Sequence, residues 1–188
     1  MKIIDNALPT NEFKELNDIM YGEMFPWFYK SKVVDDKDKS KDNDDYQFQF
    51  VHNIHENFGP TTSDNIFNLM YRFFNILQPC QLIRIKANLL PRATKIIEHG
   101  YHTDTHVWPA LTAIYYLNTN DGETRFESKE IKPVKSKANR LLVFPANWKH
   151  TGTTCTDQKT RCVINFNFIP YPNKDFSYIL EEDLKWDL

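Results

Sequence analysis

Two side chains in the stretch Tyr101–His106 (YHTDTH) are spaced to share one metal ion, His102 and Asp104. On a strand, positions i and i+2 point to the same face about 6.6 Å apart. An imidazole and a carboxylate can converge from that separation onto one ion, with bonds of roughly 2.0–2.2 Å. His106 is also in phase, but an unbroken strand carries it about 13 Å from His102, too far unless the chain bends before Pro109. His99 is out of phase. The remaining histidines are His52, His55 and His150, and His150 is the best second imidazole. It follows an apolar strand pattern, RLLVF at 140–144, and a turn, PANWK, and it precedes another strand pattern, TRCVINFNF at 160–168. Two histidines and one carboxylate on one side of an ion leave positions open, which is the facial triad of non-haem Fe(II) sites.

Arg161 lies eleven residues after His150, at the start of the last core strand pattern. A strand otherwise built of Val, Ile, Asn and Phe does not carry an inward guanidinium without a partner. A dicarboxylate that chelates a metal at one end leaves its far carboxylate needing a planar, two-pronged donor, which Arg161 supplies. The bland alternative is an exposed Arg at a strand's first position, worth little to stability.

The elements that must position these groups follow from periodicity. Thr10 caps a helix carrying Phe13, Leu16, Ile19 and Met20, and Pro26 closes that pattern. Residues 35–45 (DDKDKSKDNDD) have no apolar residue and read as a solvated loop. A strand is expected at 46–52. A helix capped by Ser63 should carry Ile66, Leu69, Met70, Phe73, Phe74 and Leu77 on one face and end at Pro79. Beyond it the period becomes two, with strands expected at 81–90, 96–104, 110–118, 122–128, 139–144 and 160–169. Turn signals at Asn118–Gly122, Pro133 and Pro145–Asn147 separate the later ones. The expected fold class is mainly β with N-terminal helices, a jelly-roll core supported by helices on one face. One domain is expected over 1–188: helical support and charged loop at 1–79, β core at 80–170, and a tail at 171–188.

Composition narrows the function. A net charge of −2 gives no bulk reason to expect nucleic acid or an anionic membrane. No apolar run approaches the ~18 residues of a membrane span, and MKIIDNALPTNEFKE has no secretory h-region. Cys80, Cys155 and Cys162 are an odd number without a CxxC, so neither a disulfide framework nor a cysteine-rich zinc site is expected. There is no GxGxxG or GxxxxGK[ST] phosphate loop. The expected compartment is a reducing cytoplasm. The high Asn, Lys and Asp content fits an AT-rich genome such as that of a virus of a marine bacterium, which would place the protein in a host cytoplasm.

HTD at 102–104, IYYLN at 114–118, DGETRF at 121–126, RLLVFPANWKH at 140–150 and TRCVINFNF at 160–168 resemble the Fe(II)/2-oxoglutarate-dependent oxygenases, specifically their prolyl-hydroxylase-like branch. The resemblance covers roughly residues 80–170. It implies a double-stranded β-helix, His102, Asp104 and His150 as iron ligands, and Arg161 as the partner of the 2-oxoglutarate C5 carboxylate. It implies Fe(II), 2-oxoglutarate and O2 as cofactor and cosubstrates. In that branch the second Tyr of the IYYLN segment hydrogen-bonds the cosubstrate, which falls on Tyr116; a plain core aromatic is the other reading. Asn165 is in phase with Arg161 and can line the same pocket.

The carboxylate that halogenating members lack is present here as Asp104, so hydroxylation is expected. Nucleic-acid demethylating members carry a second Arg six residues after the first, and here that position is Asn167. The expected substrate is a small molecule or peptide, a peptidyl or free amino acid such as proline. His106, Trp108 and Pro109 are expected at the pocket mouth. Arg84 and Lys86 alternate on strand 81–90 and either meet an acidic group or form a solvated face. Two rivals stay open: a cupin-like metal enzyme that does not use 2-oxoglutarate, and a non-catalytic jelly-roll binding module. Oligomeric state is not legible.

Overall fold

The alternation of the last strand pattern sorts the whole fold. In the computed structural model, β11 (Thr160–Pro170) turns Cys162, Ile164, Phe166 and Phe168 to one side and Arg161, Val163, Asn165 and Asn167 to the other. Residues 1–34, 46–56 and 59–172 are described. The charged stretch 35–45 and the tail from 173 onward lie outside them.

Seven strands form the main antiparallel sheet, in the order β1 (Lys2–Asp5), β9 (Arg140–Pro145), β6 (Leu111–Tyr116), β11, β5 (Pro79–Pro91), β3 (Gln49–Glu56) and β2 (Phe28–Lys30); the short β4 (Gly59–Pro60) adds to β3. A second sheet has β7 (Glu123–Phe126) between β8 (Val134–Lys135) and β10 (His150–Gly152). The two sheets make the jelly roll that the strand count predicts. One apolar cluster fills the gap between them, with Ile114, Tyr116, Leu142, Phe144 and Val163 facing Phe126 and Val134. The opposite face of the main sheet, including Ala113, Tyr115, Leu141, Val143 and Phe166, packs on the helices. The period of two in β6, β9 and β11 thus assigns each residue to one of two cores.

Helix α1 (Thr10–Met20) buries Leu16 and Met20 in the second core but leaves Ile19 38% exposed, narrower than the predicted stripe. Pro9, not Thr10, is its N-cap residue, and no side chain caps it. The single helix expected from Ser63 to Leu77 is two, α2 (Asp64–Asn68) and α3 (Tyr71–Leu77). Tight i to i+3 bonds at the junction, from Leu69 N to Ile66 O and from Met70 N to Phe67 O, shift the phase and bury Met70 and Phe73 fully. Gln78, at φ 46°, ends α3 in the left-handed region. Among the described residues no helix is long and apolar enough to cross a membrane.

Candidate functional site

The HTD segment is not the strand expected over 96–104. It runs beside β10 through two isolated bridges, Glu98 to Thr153 and His102 to His150, and through Asp104 N to Ala146 O at 3.2 Å. Reciprocal bonds, His102 N to His150 O (3.0 Å) and His150 N to His102 O (2.9 Å), set the two histidines side by side, ring centroids 4.9 Å apart. β9 and the turn at 146–149 deliver His150, which is 3% exposed. One ligand atom from each of His102, Asp104 and His150 lies within 4.8 Å of the others. His106 is not in this cluster; it lines the cavity near Thr103, 3.3 Å from that hydroxyl.

Each imidazole is held by the carbonyl two residues before it. His102 Nδ1 is 3.2 Å from Gly100 O, and His150 Nδ1 is 3.0 Å from Trp148 O. A carbonyl only accepts, so both Nδ1 atoms carry the hydrogen, which leaves Nε2 of each ring to face an ion. Burial pushes the His150 pKa down, outweighing the opposing pull of Asp104, and keeps the ring neutral. Burial alone would raise the Asp104 pKa. The His150 ring, the Arg84 charge, the His102 ring and the Asn167 hydrogen bond beside it outweigh that and hold the carboxyl well below the usual carboxylate range.

Asp104 is fixed by Arg84 Nη2 at 2.7 Å, Thr112 Oγ1 at 2.9 Å and Asn167 Nδ2 at 3.0 Å, with Asn165 Nδ2 further off at 3.2 and 3.4 Å. Thr112, Asn167 and Asn165 all donate to Oδ2 and Arg84 and Asn165 to Oδ1, so a metal at Asp104 would take the place of one of the longer donors. Donors side by side on an ion with bonds of about 2.1 Å stand about 3 Å apart. His150 Nε2 and Asp104 Oδ2 are 3.6 Å apart, a small adjustment away. Two imidazole nitrogens and one ionised oxygen therefore fit a divalent first-row ion.

A cavity of about 540 Å³ opens on the triad, and Arg161 lines the same cavity. Its guanidinium is 3% exposed, yet among the described residues no carboxylate pairs with it. Nε donates to Ser136 Oγ (2.9 Å) and Nη2 to Thr124 Oγ1 (3.2 Å), both neutral oxygens. Burial pulls its pKa down, with the Tyr116 hydroxyl acting the other way. Two glycines make the space. A Cβ on Gly122 would stand 2.7 Å from Arg161 Cδ, and one on Gly152 would stand 3.1 Å from Nη1.

The other predicted groups fall in distinct places. Tyr116 is fully buried beneath Arg161, whose Cζ is 5.7 Å from its ring centroid. Its hydroxyl meets Thr124 Oγ1 at 2.7 Å, and Thr124 rather than Tyr116 lines the cavity. Asn165 lines it with Oδ1 unpartnered. Trp108 is 54% exposed, and neither it nor Pro109 lines the cavity. Arg84 pairs with Asp104 inside the protein, and its Nε also donates to Asn167 Oδ1 at 3.0 Å. The alternation of strand 81–90 put Arg84 on the right face but could not reveal that partner. His99 was set aside as out of phase, which held only for an unbroken strand. It is 1% exposed and lines the cavity, Nδ1 meets Gln47 Oε1 at 3.2 Å, and Nε2 is unpartnered. Burial first, then the Arg161 and His102 charges, lower its pKa to about 4.

A second cluster, Asp121, Cys155 and Asp157, closes a loop instead. Asp121 accepts from Thr156 N (2.7 Å), and Asp157 accepts from Asp121 N (3.0 Å).

Residues 94–169 match the family model described as 2OG-Fe(II) oxygenase superfamily. No curated protein matches the chain. Solved structures do. An oxidoreductase of the 2OG-Fe(II) oxygenase family from Burkholderia pseudomallei is similar at TM-score 0.63 and 14% identity, over 88% of this chain and 84% of that one. HygX from Streptomyces hygroscopicus, solved with nickel and 2-oxoglutarate, is similar at 0.59 and 13%, over 90% and 82%. A Pseudomonas putida prolyl-4-hydroxylase is similar at 0.56 and 14%, over 89% and 91%. At these identities the likeness is one of fold.

Proposed function

We propose, from the premise that residues 94–169 carry the 2OG-Fe(II) oxygenase superfamily pattern on that superfamily's fold, that the protein is an Fe(II)- and 2-oxoglutarate-dependent dioxygenase. It hydroxylates a peptidyl or free amino acid or a related small molecule, with proline as the first candidate to test. One observation carries the reading: a buried guanidinium, with no carboxylate partner among the described residues, shares a cavity with two imidazoles and an ionised carboxylate. An uncompensated buried charge is costly, so its surroundings favour an anionic ligand.

In this reading His102, Asp104 and His150 hold Fe(II), and Arg161 holds the C5 carboxylate of 2-oxoglutarate. Bound there, iron and 2-oxoglutarate would supply the activation of O2, one oxygen going to succinate and the other to a hydroxyl on a substrate carbon, with CO2 released. The chain's own groups supply order. The Gly100 and Trp148 carbonyls keep both imidazoles in the tautomer that presents Nε2. Arg84, Thr112 and Asn167 keep Asp104 ionised and stop it rotating away from the histidines. Ser136 and Thr124 orient Arg161, and the Tyr116 hydroxyl holds Thr124. We read 1–188 as one such unit acting in a cytoplasm.

The test is turnover. Iron-loaded protein incubated with 2-oxoglutarate and O2 should release succinate slowly, and faster with a productive substrate. Mass spectrometry of that substrate should find one added oxygen. Protein that holds iron yet forms no succinate with any amino acid, peptide or small-molecule panel contradicts the reading.

A further inference from the structure

The cavity wall is unevenly charged. Among the described residues its lining includes five cationic side chains, Lys30, Arg84, Lys86, Lys149 and Arg161, against one carboxylate, Asp104. Three of the cations have assigned partners. Arg84 is bound to Asp104, Lys149 reaches Glu127 at 3.3 Å, and Arg161 answers to the cosubstrate. Lys86 and Lys30 remain, and among the described residues neither has an ion-pair partner.

Lys86 stands apart from the Arg161 end. In the β5–β11 register Leu90 faces Arg161, whereas Lys86 faces Asn165, whose amide lies against Asp104. Four residues of β5, about 13 Å, separate those two rows. Lys86 is therefore on the metal's row, while Lys30 pairs with Gln49, next to the Phe50–Leu89 pair, and reaches the same wall from β2 nearer the Arg161 row. Burial, then Lys30 and Arg84, push the Lys86 pKa down to about 8, with Asp104 and Glu56 acting the other way. Like charges crowded into a half-enclosed wall raise the free energy of the empty site, and an anion relieves it.

We propose that the substrate is anionic: a carboxylate or phosphate docks against Lys86 and Lys30 on the β5–β2 wall and holds the carbon to be oxidised beside the His102–Asp104–His150 triad. This rests on the oxygenase reading and deepens it. It favours a free amino acid or other acid-bearing small molecule over an uncharged peptidyl residue.

The experiment titrates inorganic phosphate and, separately, acetate into protein loaded with Ni(II) and saturating 2-oxoglutarate, at pH 7 and low ionic strength, by calorimetry. The wild type should show one saturable anion site. Lys86→Met and Lys30→Met should each weaken it at least fivefold, and the double variant should abolish it, with the 2-oxoglutarate isotherm unchanged. The stronger of the two probes identifies phosphate or carboxylate as the substrate's group. Absence of a saturable site, or equal anion affinity in the double variant, overturns the proposal. Lys86→Gln, matched by its thermal melt, replaces Lys86→Met if that variant folds poorly. The 2-oxoglutarate isotherm reads the other reading independently. If 2-oxoglutarate does not bind while phosphate still binds through Lys86, the anion site stands and the cosubstrate assignment falls.

Discussion

Replacing His99 by Gln should remove much of the acid sensitivity of the metal-free protein. The imidazole is 1% exposed and its pKa is lowered from 6.5 to about 4, chiefly by burial. The unfolded chain takes up this proton at an ordinary pKa near 6.5, well before the folded state does. The sign is thus a loss of stability as pH falls. It begins near pH 6.5, where the unfolded state first binds more protons, and saturates below about pH 4. Between pH 7 and pH 5 these two pKa values correspond to about 2 kcal/mol, most of the roughly 3 kcal/mol available from the full shift. Gln at this position can still reach Gln47 and has no proton to gain. Urea unfolding of both proteins, with chelator present, at pH 7 and pH 5 gives the difference of differences. Whatever Gln costs at pH 7 cancels. A wild type that loses about 2 kcal/mol more than His99→Gln fits the reasoning. Equal losses in the two proteins refute it and mean that the ring protonates in place.

Gly122→Ala puts a Cβ 2.7 Å from Arg161 Cδ and 2.8 Å from the Thr154 carbonyl. It should cost about 1–3 kcal/mol and raise the KM for 2-oxoglutarate on the order of tenfold, with iron binding retained, as read by melting and steady-state kinetics. Phe73→Ala removes a fully buried ring that packs on Tyr115 and Phe166 at 4.7 and 5.0 Å, and should cost about 3–5 kcal/mol in urea unfolding. Because Lys86 titrates at about 8, anion affinity at its subsite should fall as pH rises from 7 to 9, and Lys86→Met should flatten that dependence in the calorimeter.

The parts of the site legible in the sequence were those fixed by chain periodicity. The phase of β11 puts Arg161 and Asn165 on one face, and the apolar run before His150 makes its delivery by a turn readable. The i, i+2 spacing of His102 and Asp104 suggests a strand that the fold does not contain. They lie close because 98–104 is pinned by two bridges to His150 in β10 and to Thr153 just beyond it, not because a strand runs through it. What stayed hidden depends on contacts between distant segments. Arg84 meeting Asp104, twenty residues away, and the glycines clearing space for Arg161 leave no local periodic trace. The small strands show the same limit. β1 carries no strong pattern of its own and is ordered by pairing with β9. Asn139 reinforces that junction, accepting from Leu8 N at 2.9 Å and donating to Leu8 O at 2.8 Å. The break between α2 and α3 is likewise set by burial of Met70 and Phe73, since the apolar spacing alone fits one continuous helix.

The central claim is that one cavity holds a metal at His102, Asp104 and His150 and a dicarboxylate at Arg161. Anaerobic titration of 2-oxoglutarate into Fe(II)-loaded protein, followed by the iron charge-transfer absorption, tests it most directly when wild type is set beside Arg161→Met. The account predicts stoichiometric binding in the wild type and an affinity at least about 30-fold lower in the variant, as expected when a buried charge pair worth roughly 2–5 kcal/mol loses one partner, with equal iron content in both. Equal affinity in the two proteins, or no 2-oxoglutarate band in wild type that holds iron, would contradict it.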